Sequence, residues 1–335
     1  MKHFFLILFI LLYCSPLFSQ HEFLNTSDTT DNDCSYSSLD LGSHSSGISF
    51  GNSPIWNGLR FNFSDCGIQE INGINITLWK PERNPGSIIK GIALGLAPSA
   101  ETIQGISIGL AAVVAENELT GINISGLAVV SGEDIRGINI GGLATVAKGN
   151  LLGINFGGLA VVSEGDLLGI NFGGLAVVTK GEMKGVNFGG LAVVSENDMI
   201  GLNVGGLALV TKGELKGINL GGLAVVAEGG LTGLNTALLA LVSKEGITGL
   251  NIVGYKVEAP QVNGLNVSLG WTDVDDLTGL SISCYNKIRG TQNGLVIGLF
   301  NVADELSGVQ IGLINIAKNN GGLAKVLPFI NFHFD

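Results

Sequence analysis

Charge is scarce in this chain. Only 13% of its 335 residues are Asp, Glu, Lys or Arg, against 46% apolar residues and a mean hydropathy of +0.44. Intrinsic disorder needs the opposite balance, low hydrophobicity with high charge, so it is excluded for the chain as a whole. Proline is scarce too, with seven in all and none between Pro98 and Pro260, so nothing interrupts secondary structure over that stretch. Outside the first twenty residues the histidines are His21, His44 and His333. They fall near the two ends and offer neither a zinc set nor a Ser-His-Asp triad. Three Trp and four Tyr are few for the aromatic girdles of a membrane barrel. Cysteine is limited to Cys14, Cys34, Cys66 and Cys284. Cys14 lies in the leader described below. The other three are an odd number at wide spacing and form no disulfide framework. Cys34 with Cys66 is the more plausible pair, and free or incidental cysteine is the favoured reading.

Glycine is abundant, at 52 residues. Each would cost a helix interior about 1 kcal/mol relative to alanine, which argues against a helical enzyme. The formal net charge of −11, more negative still once Lys2 is removed with a leader, repels nucleic acid and anionic bilayers.

Residues 1–20, MKHFFLILFILLYCSPLFSQ, have a basic start, a short apolar run and a small-residue end. They are expected to be a secretory signal peptide, too short to span a bilayer. Cys14 raises lipidation, although Tyr13 before it is bulky where a small residue is needed. Residues 21–53 turn to Ser, Thr, Asp, Asn and Gly without apolar periodicity and are expected to be a polar, flexible arm.

One repeat fills residues 54–335, and repeats of this kind decide the fold. Glycine recurs every 16 residues from Gly105 to Gly249, then at spacings of 14 to 15 through Gly264, Gly279, Gly294 and Gly308. Residues 54–104 carry looser units that begin at Gly58, Gly73 and Gly91; 105–252 are the regular units, and 253–335 the shorter ones with a terminal strand. A central unit reads GINFGGLAVVSEGDLL, from Gly153 to Leu168. Alternating apolar residues, β-branched enrichment and glycine punctuation predict an all-β chain.

Two architectures fit: a β-solenoid with one coil per unit, or an antiparallel meander or closed outer-membrane barrel with one strand per unit. Asn123, Asn139, Asn155, Asn171, Asn187, Asn203, Asn219, Asn235 and Asn251 hold the same place in successive units. A parallel stack would make them a structural amide ladder, whereas a meander would split them between two sheet ends. Turn charges alternate along Glu164, Lys180, Glu196, Lys212, Glu228 and Lys244, so a stack places each Lys between two Glu, a weaker preference. Late units such as GVQIGLINIA lack one mid-unit residue, which a corner absorbs but a continuous strand does not. For the barrel stand strands long enough to cross a bilayer and the alternating aromatic end LPFINFHFD. The solenoid is favoured, with Ile154, Phe156 and Leu159 and their equivalents expected as its core and small residues facing outward.

No catalytic residue, metal ligand or cofactor site is expected. GINFGGLA lacks the GK[ST] of a phosphate loop and the G-x-G-x-x-G of a dinucleotide site. The turn acids Asp166, Glu182, Asp198 and Glu214 are too irregular for a calcium ladder, and Asp273, Asp275 and Asp276 read as a solvated loop. Thr145, Thr179 and Thr211 form no flat ice-binding array.

The segments NGLRFNF (57–63), INGINITLW (71–79), NGLVIGLFNVADELSGVQIGLINIAKNN (293–320) and the terminal LPFINFHF resemble the leptospiral-type surface-repeat family of bacterial envelope proteins. That family shows a leader, G-[LIV]-x-[LIV]-G-L-x-N repeats and a PFINFHF end. The central units depart from its commoner form by their additional glycine. The resemblance implies a surface or outer-membrane location and no enzyme activity, and it carries no functional residues across. The chain is therefore expected to be an exported, non-enzymatic envelope repeat protein with a structural or adhesion-like role and an envelope or extracellular partner; membrane association is possible. The alternative is an outer-membrane β-barrel pore or transport component.

Overall fold

The computed structural model describes Cys34, residues 36–82 and residues 84–334. The expected leader, with Cys14, and residues 21–33 and 35 of the expected arm lie outside the described residues. The fold that follows is the compact unit Tyr36–Asp335.

Each regular coil contains two strands, a seven-residue one such as Leu151–Gly157 and a four-residue one such as Ala160–Ser163. Valine and isoleucine supply the strand preference, and glycine supplies the bends. Strands of neighbouring coils pair in parallel and in register. Asn155 lies beside Asn139 and Asn171, and Ala160 beside Ala144 and Ala176. Identical residues therefore stack along the axis at the inter-strand spacing of about 4.8 Å, so some seventeen coils extend roughly 80 Å. This is a β-solenoid. The meander and the barrel need antiparallel neighbours, so both are ruled out, and the pore reading built on the barrel falls with them.

Antiparallel pairing among the described strands occurs at the two ends. Ser38–Ser43 pairs with Ser46–Gly51, which continues in parallel onto Ile55–Asn62. Part of the segment expected to be a flexible arm is thus a hairpin laid on the first coil, and the folded region begins before residue 54. At the other end, Phe300–Ala317 turns through Gly322–Lys325 into the antiparallel strand Val326–His333. Each hairpin covers a sheet edge that would otherwise present unpaired backbone.

The unit glycines are forced by backbone contact. Gly153 has φ +118°, and a Cβ there would lie 2.1 Å from the carbonyl oxygen of Gly137 one coil back. In the doublet, a Cβ on Gly157 would lie 1.9 Å from Ala160 O, and one on Gly158 2.0 Å from Gly142 O. The shorter late coils lose residues at more than one place. The coil from Gly249 loses one in the turn Ala259–Gln261, since Lys256 still pairs with Ala240 but Val262 with Ile247. The coil from Gly294 loses one at the bend Gly298–Leu299, beyond which Phe300 pairs in register with Tyr285.

The core is not the one the alternation suggested. Ile154, Phe156 and Leu159 are 47%, 39% and 46% exposed, while Leu151, Asn155 and Val161 are wholly buried. The interior consists of a Leu/Met/Ile column (Leu151, Leu167, Met183, Met199), a Val/Leu column (Val161, Val177, Val193, Leu209) and the asparagines. The phase is inverted because the narrow interior is filled by Leu, Val and small polar groups, Leu151 and Asn155 from one strand and Val161 and Ser163 from the other. The bulky Ile and Phe are turned outward.

Candidate interaction face

The buried asparagines form a directional chain of hydrogen bonds. Ser107 Oγ donates to Asn123 Oδ1, and each Nδ2 from Asn123 to Asn235 then donates to Oδ1 of the next coil's asparagine at 2.7 to 3.0 Å. The series stops at Asn251, whose Nδ2 has no partner, as Oδ1 of Asn266 has none. The break coincides with the first 15-residue step, Gly249 to Gly264. Beyond it the relay resumes in the same column and then crosses to the other strand: Asn266 Nδ2 donates to Ser281 Oγ, Ser281 Oγ to Asn286 Oδ1, then Asn286 to Asn301 and Asn301 to Asn315.

Near the start of the stack the same column holds a buried Arg60, whose guanidinium donates to Asp65 Oδ1 at 2.5 Å and to Asn75 Oδ1 at 2.8 Å. Asp65 also accepts from Asn75 Nδ2 and Thr77 Oγ1. A buried pair with this many donors is a structural network, although Arg60 Nε is left without a hydrogen-bond partner.

The turn residues are likewise used internally. Oδ1 of Asp134, Asn150, Asp166 and Asp198 each accepts the backbone N–H of the equivalent turn residue one coil later, at 2.8 to 2.9 Å. Asp166 and Asp198 among the irregular turn acids thus cap backbone donors, while Glu182 and Glu214 pair with Lys184 and Lys216. Thr179 and Thr211 point inward and donate to carbonyls of the preceding coil, and Thr145 donates to Phe156 O. Lys180, Lys212 and Lys244 each meet the glutamate one coil before, at 3.3, 3.4 and 2.9 Å. The hydrogen bonds that Lys184 and Lys216 donate to Glu182 and Glu214 raise the pKa of each lysine. Asp273 and Asp275 are bridged by Arg289, and Asp276 accepts the Thr291 N–H, so that cluster is a bonded turn where a solvated loop was expected. His333 Nδ1 lies 2.6 Å from Asn320 Oδ1. Cys34 and Cys66 are disulfide-bonded, against the expectation of free thiols, and Cys284 is the free cysteine among the described residues.

What remains unoccupied is the outer surface of the longer strands. Counting the unit glycine as position 1, position 2 is apolar in every coil from Leu59 to Val309, and position 4 from Phe61 to Ile311 except at Thr236. Parallel register makes these two positions two unbroken columns. Phe156, Phe172 and Phe188 stack with centroids 5.1 and 4.9 Å apart and planes 3° apart. In the next four coils Val204, Leu220, Thr236 and Ile252 occupy the same column and, with their bend glycines and Leu238, line a shallow apolar depression. An apolar strip of this length, free of charge, exceeds the few hundred Å² usual on a soluble monomer.

No helix among the described residues is long and apolar enough to cross a membrane. No protein-family model, curated protein or solved structure matches the chain.

Proposed function

We propose that this chain is an exported, non-enzymatic repeat protein of the cell envelope, a rigid β-solenoid with a structural or interaction role whose working surface is the apolar strip. The observation that carries the reading is the outward orientation of Ile154, Phe156 and their stacked equivalents, because exposed apolar surface of this extent marks an interaction site. The leader-like start and the resemblance to leptospiral-type surface repeats support the location. The acidic balance disfavours nucleic acid, so the partner is an envelope or extracellular one met through apolar contact. The asparagine relay and the turn residues bond to one another and to neighbouring backbone, which supports a scaffold over a catalyst.

Cell fractionation with protease treatment of intact cells tests this. The expected result is envelope-associated protein clipped from outside. Recovery as a protease-protected cytoplasmic protein would overturn it.

A further inference from the structure

We infer that the partner of the apolar strip is a second copy of this chain, packed face to face about a two-fold axis that lies between the copies, beside the coil beginning at Gly201. The inference rests on the preceding reading of the strip as the working surface and adds the identity of its occupant. The strip carries both a raised and a recessed feature in one column. The stacked rings of Phe156, Phe172 and Phe188 form the ridge, centred on Phe172. The depression is centred on Thr236, the single non-apolar residue of its column. The two centres lie two coils on either side of the Gly201 coil, so a two-fold axis there seats each ridge in the other copy's depression. A C2 interface is self-complementary in this way: residue i meets j, and j meets i.

Area and charge support the same occupant. Two columns and the adjoining bends over some fifteen coils present on the order of 800 Å² per copy, taking about 4.8 Å per coil and a width of roughly 12 Å. That is the area each partner contributes to a standard stable interface, about 800 Å². The facing sheets would pack at the usual separation of about 10 Å. A lipid surface fits less well. Helices and faces that lie on bilayers are flanked by unpaired basic residues, whereas Arg136, Lys184 and Lys216 beside this strip are each paired with a carboxylate, and the chain carries −11 overall.

The test uses the full chain. Analytical ultracentrifugation should give a dimer for the natural sequence and a monomer for Phe172→Lys and for Thr236→Glu, with unchanged circular dichroism because both side chains lie outside the core. Together in one chain, Phe172→Lys and Thr236→Glu face each other twice across the axis and should restore the dimer. In a Cys284→Ser background, Val204→Cys beside the axis should be linked to its mate by a short bismaleimide, while Ile282→Cys, five coils away, should not. A monomeric natural chain that binds phosphatidylethanolamine/phosphatidylglycerol vesicles would overturn the dimer and leave the strip as the working surface. A monomer that binds no such vesicles would overturn the dimer as well. A dimer indifferent to both single substitutions, or linked equally through Ile282→Cys, would overturn the proposed axis.

Discussion

Asn155 Nδ2 donates to Asn171 Oδ1 across 2.8 Å, and both side chains are wholly buried. Every amide in the central stack is at once donor to the following coil and acceptor from the preceding one. Such chains polarise cooperatively in a low-dielectric interior, and a single missing member leaves two buried groups unpaired. Asn187→Leu should therefore strand Asn171 Nδ2 and Asn203 Oδ1, and at about 1–3 kcal/mol for each unpaired group it should cost roughly 2–6 kcal/mol in denaturant unfolding.

Asn187→Asp should be gentler in acid than at neutrality. Burial disfavours the carboxylate, so its folded pKa is raised above the unfolded value of about 3.9. Stability is then fully present below that unfolded value and is lost as pH rises through the folded one. Urea midpoints measured at pH 4 and pH 7 check the sign: the variant should lose stability between them relative to the natural chain.

The glycine column offers a second test. At Gly169 φ is +119°, and a Cβ would fall 2.1 Å from Gly153 O, a backbone atom with no room to retreat. Gly169→Ala should therefore cost more than the 1–3 kcal/mol typical of backbone strain alone, since the clash adds to it. Gly321→Ala, where a Cβ meets nothing within 4 Å and φ is not in the left-handed region, should leave the thermal midpoint nearly unchanged.

Register and coil length were legible because a 16-residue glycine period admits few stackings, and a repeated asparagine makes sense only where copies touch. The facing of the strands was not. In the run Gly153–Gly157, alternation fixes that Ile154 and Phe156 share a side but not which side. Hydrophobicity then points the wrong way, because the interior holds Leu151, Asn155 and Val161. The signal that sets the phase is the asparagine itself: nine amides in one column can bond to one another, and that arrangement gains most where water is excluded. The relay's crossing to Asn286, Asn301 and Asn315 was also hidden, since it depends on which bend gives up a residue.

The N-terminal hairpin should be the part most sensitive to acid. Asp40 accepts hydrogen bonds from Ser49 at 2.7 Å and Ser53 at 3.0 Å, and the bond from Ser49 chiefly holds its pKa below the usual carboxylate range. A depressed pKa contributes stability that is present above the unfolded value and lost as pH falls through the folded one. Amide exchange in Ser38–Gly51 should accelerate on acidification below about pH 4 once intrinsic rates are corrected. Asp40→Asn should remove that pH dependence, while the central coils show none.

The inward and outward columns should respond oppositely to truncation. Leu167 is wholly buried in a narrow interior, where lost transfer energy and a residual cavity add, so Leu167→Ala should cost about 2–5 kcal/mol. Ile170, three residues later on the same strand, is 50% exposed, so Ile170→Ser should change the unfolding free energy of the separated chain by about 0.5 kcal/mol or less. The same substitution removes apolar surface from the strip and should lower aggregation and the retention of the protein on a hydrophobic column. If instead Ile170→Ser unfolds the chain and Leu167→Ala is tolerated, the strands face the other way. The strip would then be core, and both the interaction face and the dimer built on it would go with that reversal.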